Sequence, residues 1–436
     1  MKLSKNLKPA SNSMATFYPI STNENSNDFN WNIVTNLFLS ELYGLVYDKQ
    51  TDKLKNNLKI FNQNFEEKFK DLVSDDQAWK TIEEVYFNNN NIAKIAPKLR
   101  IFSLSEDIHN LSAEKRIVNL LKTLLKKDYI YQNGINNLNF IEKLIYESFE
   151  QMFPSDTPDI SGISSYLPNL SNIFSEDLVF LTTNSKYFLD NIQFFIEIYI
   201  FLYTAQLAIV INSWRDAKQP EIKDCYFILD TERASRERIL LQRSGYKLVE
   251  KGLYSIFPIL ALTELLQTGE KQKVPLWQLI TTLTDQDIEP LKKYCQDFAD
   301  DRALNTDISK LVNLSDLLDE MEHLYKSQFE KGETRASRNM NVVRAIKNII
   351  LKPFTQVRGS AGTVFVLNQE YLLLLTNLII GKRDKIRLYE LIKELERRGI
   401  FFDKESRKAL VEFYERLGNV EKMSDSGDAI YVKKTI

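Results

Sequence analysis

The sequence is short of the residues from which reactive centres are usually built. It has two cysteines and two histidines in 436 residues. Cys225 and Cys295 lie far apart and neither belongs to a paired-thiol motif. A disulfide framework and a cysteine zinc site are therefore not expected, and a reducing, cytoplasmic compartment is. His109 and His323 cannot form a multi-histidine metal centre. No G-x-x-x-x-G-K-[ST] loop is present, since Gly381-Lys382 lacks both the upstream glycine and the following hydroxyl residue. No G-x-S-x-G elbow and no H-E-x-x-H helix occur either. Metal-dependent nuclease chemistry needs clustered carboxylates and a lysine around the attacking water. Asp230 with Glu250, followed directly by Lys251, is the one assembly on offer, and with 59 acidic residues such coincidences are common. The expectation is a chain with no catalytic residues, no metal and no cofactor.

Glycine and proline are also scarce, at 13 and 11, which argues against a turn-rich sandwich or barrel. Lys2, Lys5 and Lys8 have no apolar segment behind them, so no secretory signal is expected. One charge-free run, Ile198–Trp214, approaches the lower limit for spanning a bilayer. Asp190 and Glu197 precede it, Arg215, Asp216 and Lys218 follow, and Thr204, Gln206 and Asn212 interrupt it. A helix buried on all sides of a large helical protein reads the same way and is the expectation here, with no membrane. The net charge of −2 gives no global pull toward a polyanion, so any such attraction has to be local.

What the sequence does contain is helical periodicity. Ile117, Leu120, Leu121 and Leu124 recur at helical spacing, as do Leu311, Leu314, Leu317, Leu318 and Met321. Strand signals are few, with Cys225–Leu229 one of them. The expected fold is mainly α: a multi-helical body with a C-terminal winged helix-turn-helix module and little β structure. Residues 1–30 read as a flexible arm and 31–155 as an N-terminal helical domain. A Pro- and Ser-rich break between Met152 and Pro168 leads to a central helical domain, 165–365, and residues 366–436 form the terminal module.

That module is legible element by element. Asn368 can cap a first helix that Gly381 ends, and Leu388, Leu391, Ile392 and Leu395 share a face of a second, closed by Gly399. Asp403 can cap a third helix that stops at Gly418. Two strands, Val420–Met423 and Ala429–Val432, then flank Ser424–Asp428. Lys404, Arg407 and Lys408 on the third helix and Lys422, Lys433 and Lys434 on the wing suit DNA. Residues 399–436 nevertheless carry as many acidic as basic groups, so protein docking is equally open.

Upstream, no acidic residue lies between Arg335 and Asn368, while Arg335, Arg338, Arg344, Lys347, Lys352 and Arg358 are all basic. This segment, 335–364, suits phosphates, or an acidic protein surface. The Gly359–Gly362 stretch would let backbone amides approach an anion. A second cluster, Asp230-Thr231-Glu232-Arg233-Ala234-Ser235-Arg236-Glu237-Arg238, is extended by Arg243 and Lys247 and reads as a self-bridging helix.

LERRGIFFDKESRKALVEFYERLGNVEKMSDSGDAIYVKK, from Leu395, resembles the C-terminal signature of the DNA phosphorothioation-dependent restriction protein DptG (DndG) family. FILDTERASRER, from Phe227, and VRGSAGTVFVLNQEYLLLLT, from Val357, look like that family's middle region, so the similarity runs from about residue 220 to the end. The resemblance implies a bacterial anti-phage restriction system acting on unmodified DNA, in which ATPase and helicase-like subunits accompany a non-catalytic one. On that view the partners are double-stranded DNA and those two subunits, with no family active-site residues to carry over. The competing expectation is a pure scaffold that bridges the two partners without touching DNA.

Overall fold

A computed structural model describes residues 14, 16–45, 51–73, 76–88, 91–103, 111–132, 135, 138–153, 164–267, 273–330, 333–423 and 429–436. The chain is mainly helical, as expected, and its strands form two small sheets. Its centre is the helix Ser185–Val210, which is apolar nearly all the way round. Length and composition alone would let this helix cross a membrane, yet most of its apolar stretch is covered by the rest of the chain. Helices Trp31–Leu42 and Pro168–Leu181 pack on it, as do Tyr246–Leu265 and Gln369–Ile380. The tightest approach is at Gly252, where an added Cβ would sit 1.9 Å from the carbonyl oxygen of Ala208. Only a hydrogen side chain lets these two backbones meet.

One apolar cluster runs from Met14 to Val432, so the expected boundaries near 155–165 and at 365–366 do not separate cores. A strand even straddles the second boundary. Strands β1 (Tyr226–Leu229), β2 (Thr355–Val357), β3 (Thr363–Leu367) and β5 (Phe401–Phe402) form a sheet in the order β2-β3-β1-β5. In it β1 runs parallel to β3 and β5, and β2 runs antiparallel to β3. Phe227 and Phe365 face the central helix, where the Phe201 ring lies 5.9 and 5.3 Å from theirs. Ile228, Val364 and Val366 point the other way and are covered by Leu241 and Ala361. The second sheet joins β4 (Lys385–Arg387), β6 (Val420–Met423) and β7 (Ala429–Lys433) in the order β4-β7-β6, all antiparallel.

The end of the expected arm behaves differently from expectation. Residues 1–13 lie outside the described residues, but Met14, Phe17, Tyr18 and Ile20 are buried. Tyr203 on the central helix donates to the Phe17 carbonyl at 2.9 Å, and the Tyr18 hydroxyl lies 3.1 Å from that of Thr204. Four apolar side chains within seven residues outweigh the polar Asn and Ser around them. Most of the proline-rich break (154–163), residues 424–428 of the expected wing, and His109 also lie outside the described residues. Both cysteines are buried; desolvation pushes the Cys295 thiol up to about 12 and raises that of Cys225 further. The close contact at Gly252 yields a direct expectation. Gly252→Ala forces the two backbones apart and should cost about 3 kcal/mol or more, read as a lower denaturant midpoint with an unchanged slope.

Candidate nucleic-acid interface

The 230–238 segment is not the self-bridging helix expected from its alternating charges. It is a turn and extended loop between β1 and the short helix Ile239–Ser244. Only Arg238 goes inward. Its guanidinium reaches Asp403 at 2.5 and 2.7 Å, Glu232 at 3.0 Å and the Ser406 hydroxyl at 2.6 Å. Asp403 also caps the helix Lys404–Arg416 through the Ser406 amide. The helix that the sequence assigned to a DNA groove thus has its first turn engaged by the body of the protein.

Arg233, Arg236 and Arg243 remain exposed, and here the structure joins two regions far apart in sequence. Arg236 donates to the Ser360 carbonyl at 3.0 Å, and Gln242 donates to that of Ala361 at 2.7 Å. Arg358 donates to the Asp230 carbonyl at 2.5 Å. The turn that accepts these bonds closes through Arg358 N–H to Gly362 O, 2.8 Å, with Gly362 at φ 72°. The outcome is a contact between the two segments that sets Arg236 and Arg358 beside the glycine turn, with Arg233 and Arg243 exposed in the segment that supplies Arg236. Neither charge cluster gave notice of the other, because the bonds that unite them go to backbone carbonyls, which a charge pattern does not register.

The basic helix Glu333–Ala345 and the π-helical and 3-10 turns after it carry the remaining candidates. Arg338 and Lys352 are exposed and have no hydrogen-bond or ion-pair partner among the described residues. The others find partners. Lys347 pairs with Glu250 at 2.5 Å and Arg344 with Glu24 at 3.2 Å. Half-buried Arg335 donates to the Arg302 carbonyl at 3.5 Å. The acid-free window was therefore not free of counter-charge; the acids come from 97 and 320 residues upstream. Among the described residues no group of three or more His, Cys, Asp or Glu could hold a metal ion.

On the terminal helix Lys404 and Lys408 are exposed without a partner among the described residues. Arg407 pairs with Glu396 at 2.9 Å, and Lys422 on β6 with Glu415 at 2.6 Å. Exposed pairs of this kind are worth about 0–1 kcal/mol and exchange readily for a phosphate. They set a modest threshold for an anion and do not close the surface.

A different kind of pair fixes this region to the body. Arg398 and Asp177 are both only 3% exposed, with contacts of 2.6 and 3.0 Å, and Tyr199 donates to the same carboxylate. Burial opposes the Arg398 charge, but Asp177 overrides it and holds the guanidinium above its ordinary range. Gly399, next in sequence at φ 84°, leaves room for Gln206, whose Nε2 would lie 2.4 Å from an added Cβ. Set beside known proteins, the chain matches no family model and no curated protein. Arg398→Ala strands a buried carboxylate and should destabilise the protein by about 3–5 kcal/mol. An Arg398→Met, Asp177→Leu double variant should recover much of that loss, as measured by chemical denaturation.

Proposed function

We propose that the protein is a non-catalytic DNA-binding and assembly subunit of a phosphorothioation-dependent restriction complex. It acts on unmodified DNA in anti-phage defence, beside ATPase and helicase-like subunits. The observation that carries the DNA part is the joining of the 230–243 segment, through Arg236 and Gln242, to the Arg358–Gly362 turn. It gathers cations from two segments onto one exposed surface of a chain whose net charge is −2. A near-neutral protein grips a polyanion through such local concentration, by release of counterions.

The terminal elements support a winged-helix reading. Their order is helix (Gln369–Ile380), β4, helix (Leu388–Arg397), helix (Lys404–Arg416), β6, β7, and the sheet order is β4-β7-β6. A strand between the first two helices that pairs with the last strand of the hairpin fits a winged helix-turn-helix. The resemblance carried by Leu395–Lys434 and Phe227–Arg238 supplies the biological setting, and the cytoplasmic placement is part of this proposal.

A second reading, a scaffold that bridges its partners without DNA, draws on the exposed apolar side chains of the same stretches. Ile239 is 59% and Val357 76% exposed, and Leu240 and Met340 are each 44% exposed. Apolar groups left in water beside arginines suit a protein partner as well as a nucleic acid. Purified protein should shift duplex DNA, with affinity falling steeply as salt rises. Reversing charge at Arg233, Arg243 and Lys352 together should weaken binding by about tenfold or more and flatten the salt dependence. Unchanged affinity would remove this surface. Absence of any shift, with stable partner co-purification, would favour the scaffold.

A further inference from the structure

The terminal sheet has two unlike faces. Ile386 and Val432 point inward and are buried, and the Leu388–Arg397 helix packs against β7 behind them. Register places Lys385 opposite Lys433, and Arg387 and Glu421 on either side of Tyr431, all on the outer face. Two cations meet one carboxylate there. Lys385 and Lys433 reach Glu421 at 2.7 and 2.9 Å, and these bonds hold its carboxyl below the usual range. One acid shared by two ammonium groups leaves both lysines with donors to spare.

The aromatic groups on this face are placed among the cations. The Tyr431 ring lies 5.2 Å from Lys385 Nζ and 5.9 Å from Arg387 Cζ, and Arg387 Nε donates to its hydroxyl at 3.2 Å. Two residues beyond Arg387, Tyr389 stands 69% exposed with Lys393 Nζ 5.6 Å from its ring centroid. A tyrosine left so far in water gains nothing from the core. It is available to stack on another flat ring.

We infer that the outer face of the β4-β7-β6 sheet, with Tyr389, is a binding surface for unpaired nucleic acid. Tyr389 and Tyr431 stack bases, while Lys385, Arg387, Lys393 and Lys433 take the phosphates. Cations beside one exposed and one half-buried tyrosine suit a strand whose bases are free to stack, since a duplex hides its base faces. Two other features favour a single strand over a duplex groove. The helix Lys404–Arg416 has its first turn engaged by Arg238 and carries Glu405, Glu412 and Glu415 among its basic residues. The residues joining β6 to β7 include Asp425 and Asp428 and no base, which does not favour entry of a wing tip between phosphates.

This inference rests on the reading of the chain as a nucleic-acid binder, and the experiment separates the two. Fluorescence anisotropy of the full chain is measured with a labelled oligothymidylate, an abasic strand of equal length and charge, and a duplex. The oligothymidylate should bind about tenfold or more tighter than the abasic strand. Tyr389→Ala should remove most of that difference, Tyr389→Phe should retain it, and neither should alter duplex binding. Equal affinity for the two single strands, or an unchanged oligothymidylate affinity in Tyr389→Ala, would overturn the stacking surface. Loss on Arg387→Ala without loss on Tyr389→Ala would overturn it in favour of a purely electrostatic surface, such as one for an acidic protein. Duplex binding without single-strand binding would sink this inference alone; binding of neither would sink the functional reading with it.

Discussion

A helix that is apolar on every side has to be enclosed, and the enclosure of Ser185–Val210 organises this protein. Leaving so much hydrocarbon in water would cost about 25 cal/mol per Å². Segments from Phe17 near one end to Tyr371 near the other are drawn to it. The demand explains why Met14, Phe17, Tyr18 and Ile20 are buried instead of loose, and why the terminal helices share a core with the body. It also explains Gly252: once several helices compete for one cylinder's surface, some must approach to backbone contact.

Polar chemistry then locks what apolar burial has gathered. Nonspecific hydrophobic contact tolerates sliding, whereas a guanidinium facing a carboxylate in a dry interior has one good position. Arg398 with Asp177, and Arg238 with Asp403 and Glu232, hold the second and third terminal helices at two separate points. Such pairs add little net stability, because desolvation offsets most of their attraction, but leaving one partner alone is expensive. Their effect is on orientation. The third helix and the terminal sheet are therefore presented at a fixed attitude to the arginines around the Arg358–Gly362 turn.

Much of the terminal region could be read from side-chain type. Asn368 and Asp403 cap helices by accepting from Tyr371 and Ser406 amides, and Gly381, Gly399 and Gly418 end them at positive φ. Capping and termination are local, so the residues announce them. Strands β4 and β5 went unnoticed, since three residues, Lys385-Ile386-Arg387, or two, Phe401-Phe402, make no periodic pattern. Their existence depends on partners elsewhere. The basic surface shows the same limit. A window without acids suggested free cations, but Glu24 and Glu250 arrive through the fold, while Arg338 and Lys352 keep the exposure expected of them. The aromatic character of the terminal sheet's outer face was likewise hidden, because Tyr431 meets Lys385 and Arg387 only through the pairing of β4 with β7.

The parallel pairing of β5 with β1 has a consequence for how the protein is made. The Ser406 hydroxyl donates to the Phe227 carbonyl across 179 residues of chain, so on the ribosome β1 emerges long before either of its flanking strands. Until then its amides and carbonyls have no neighbour, and Phe227, Ile228 and Leu229 present an adhesive edge to other nascent chains. Synthesis interrupted before Phe401 would leave the β5 side of that strand without its partner.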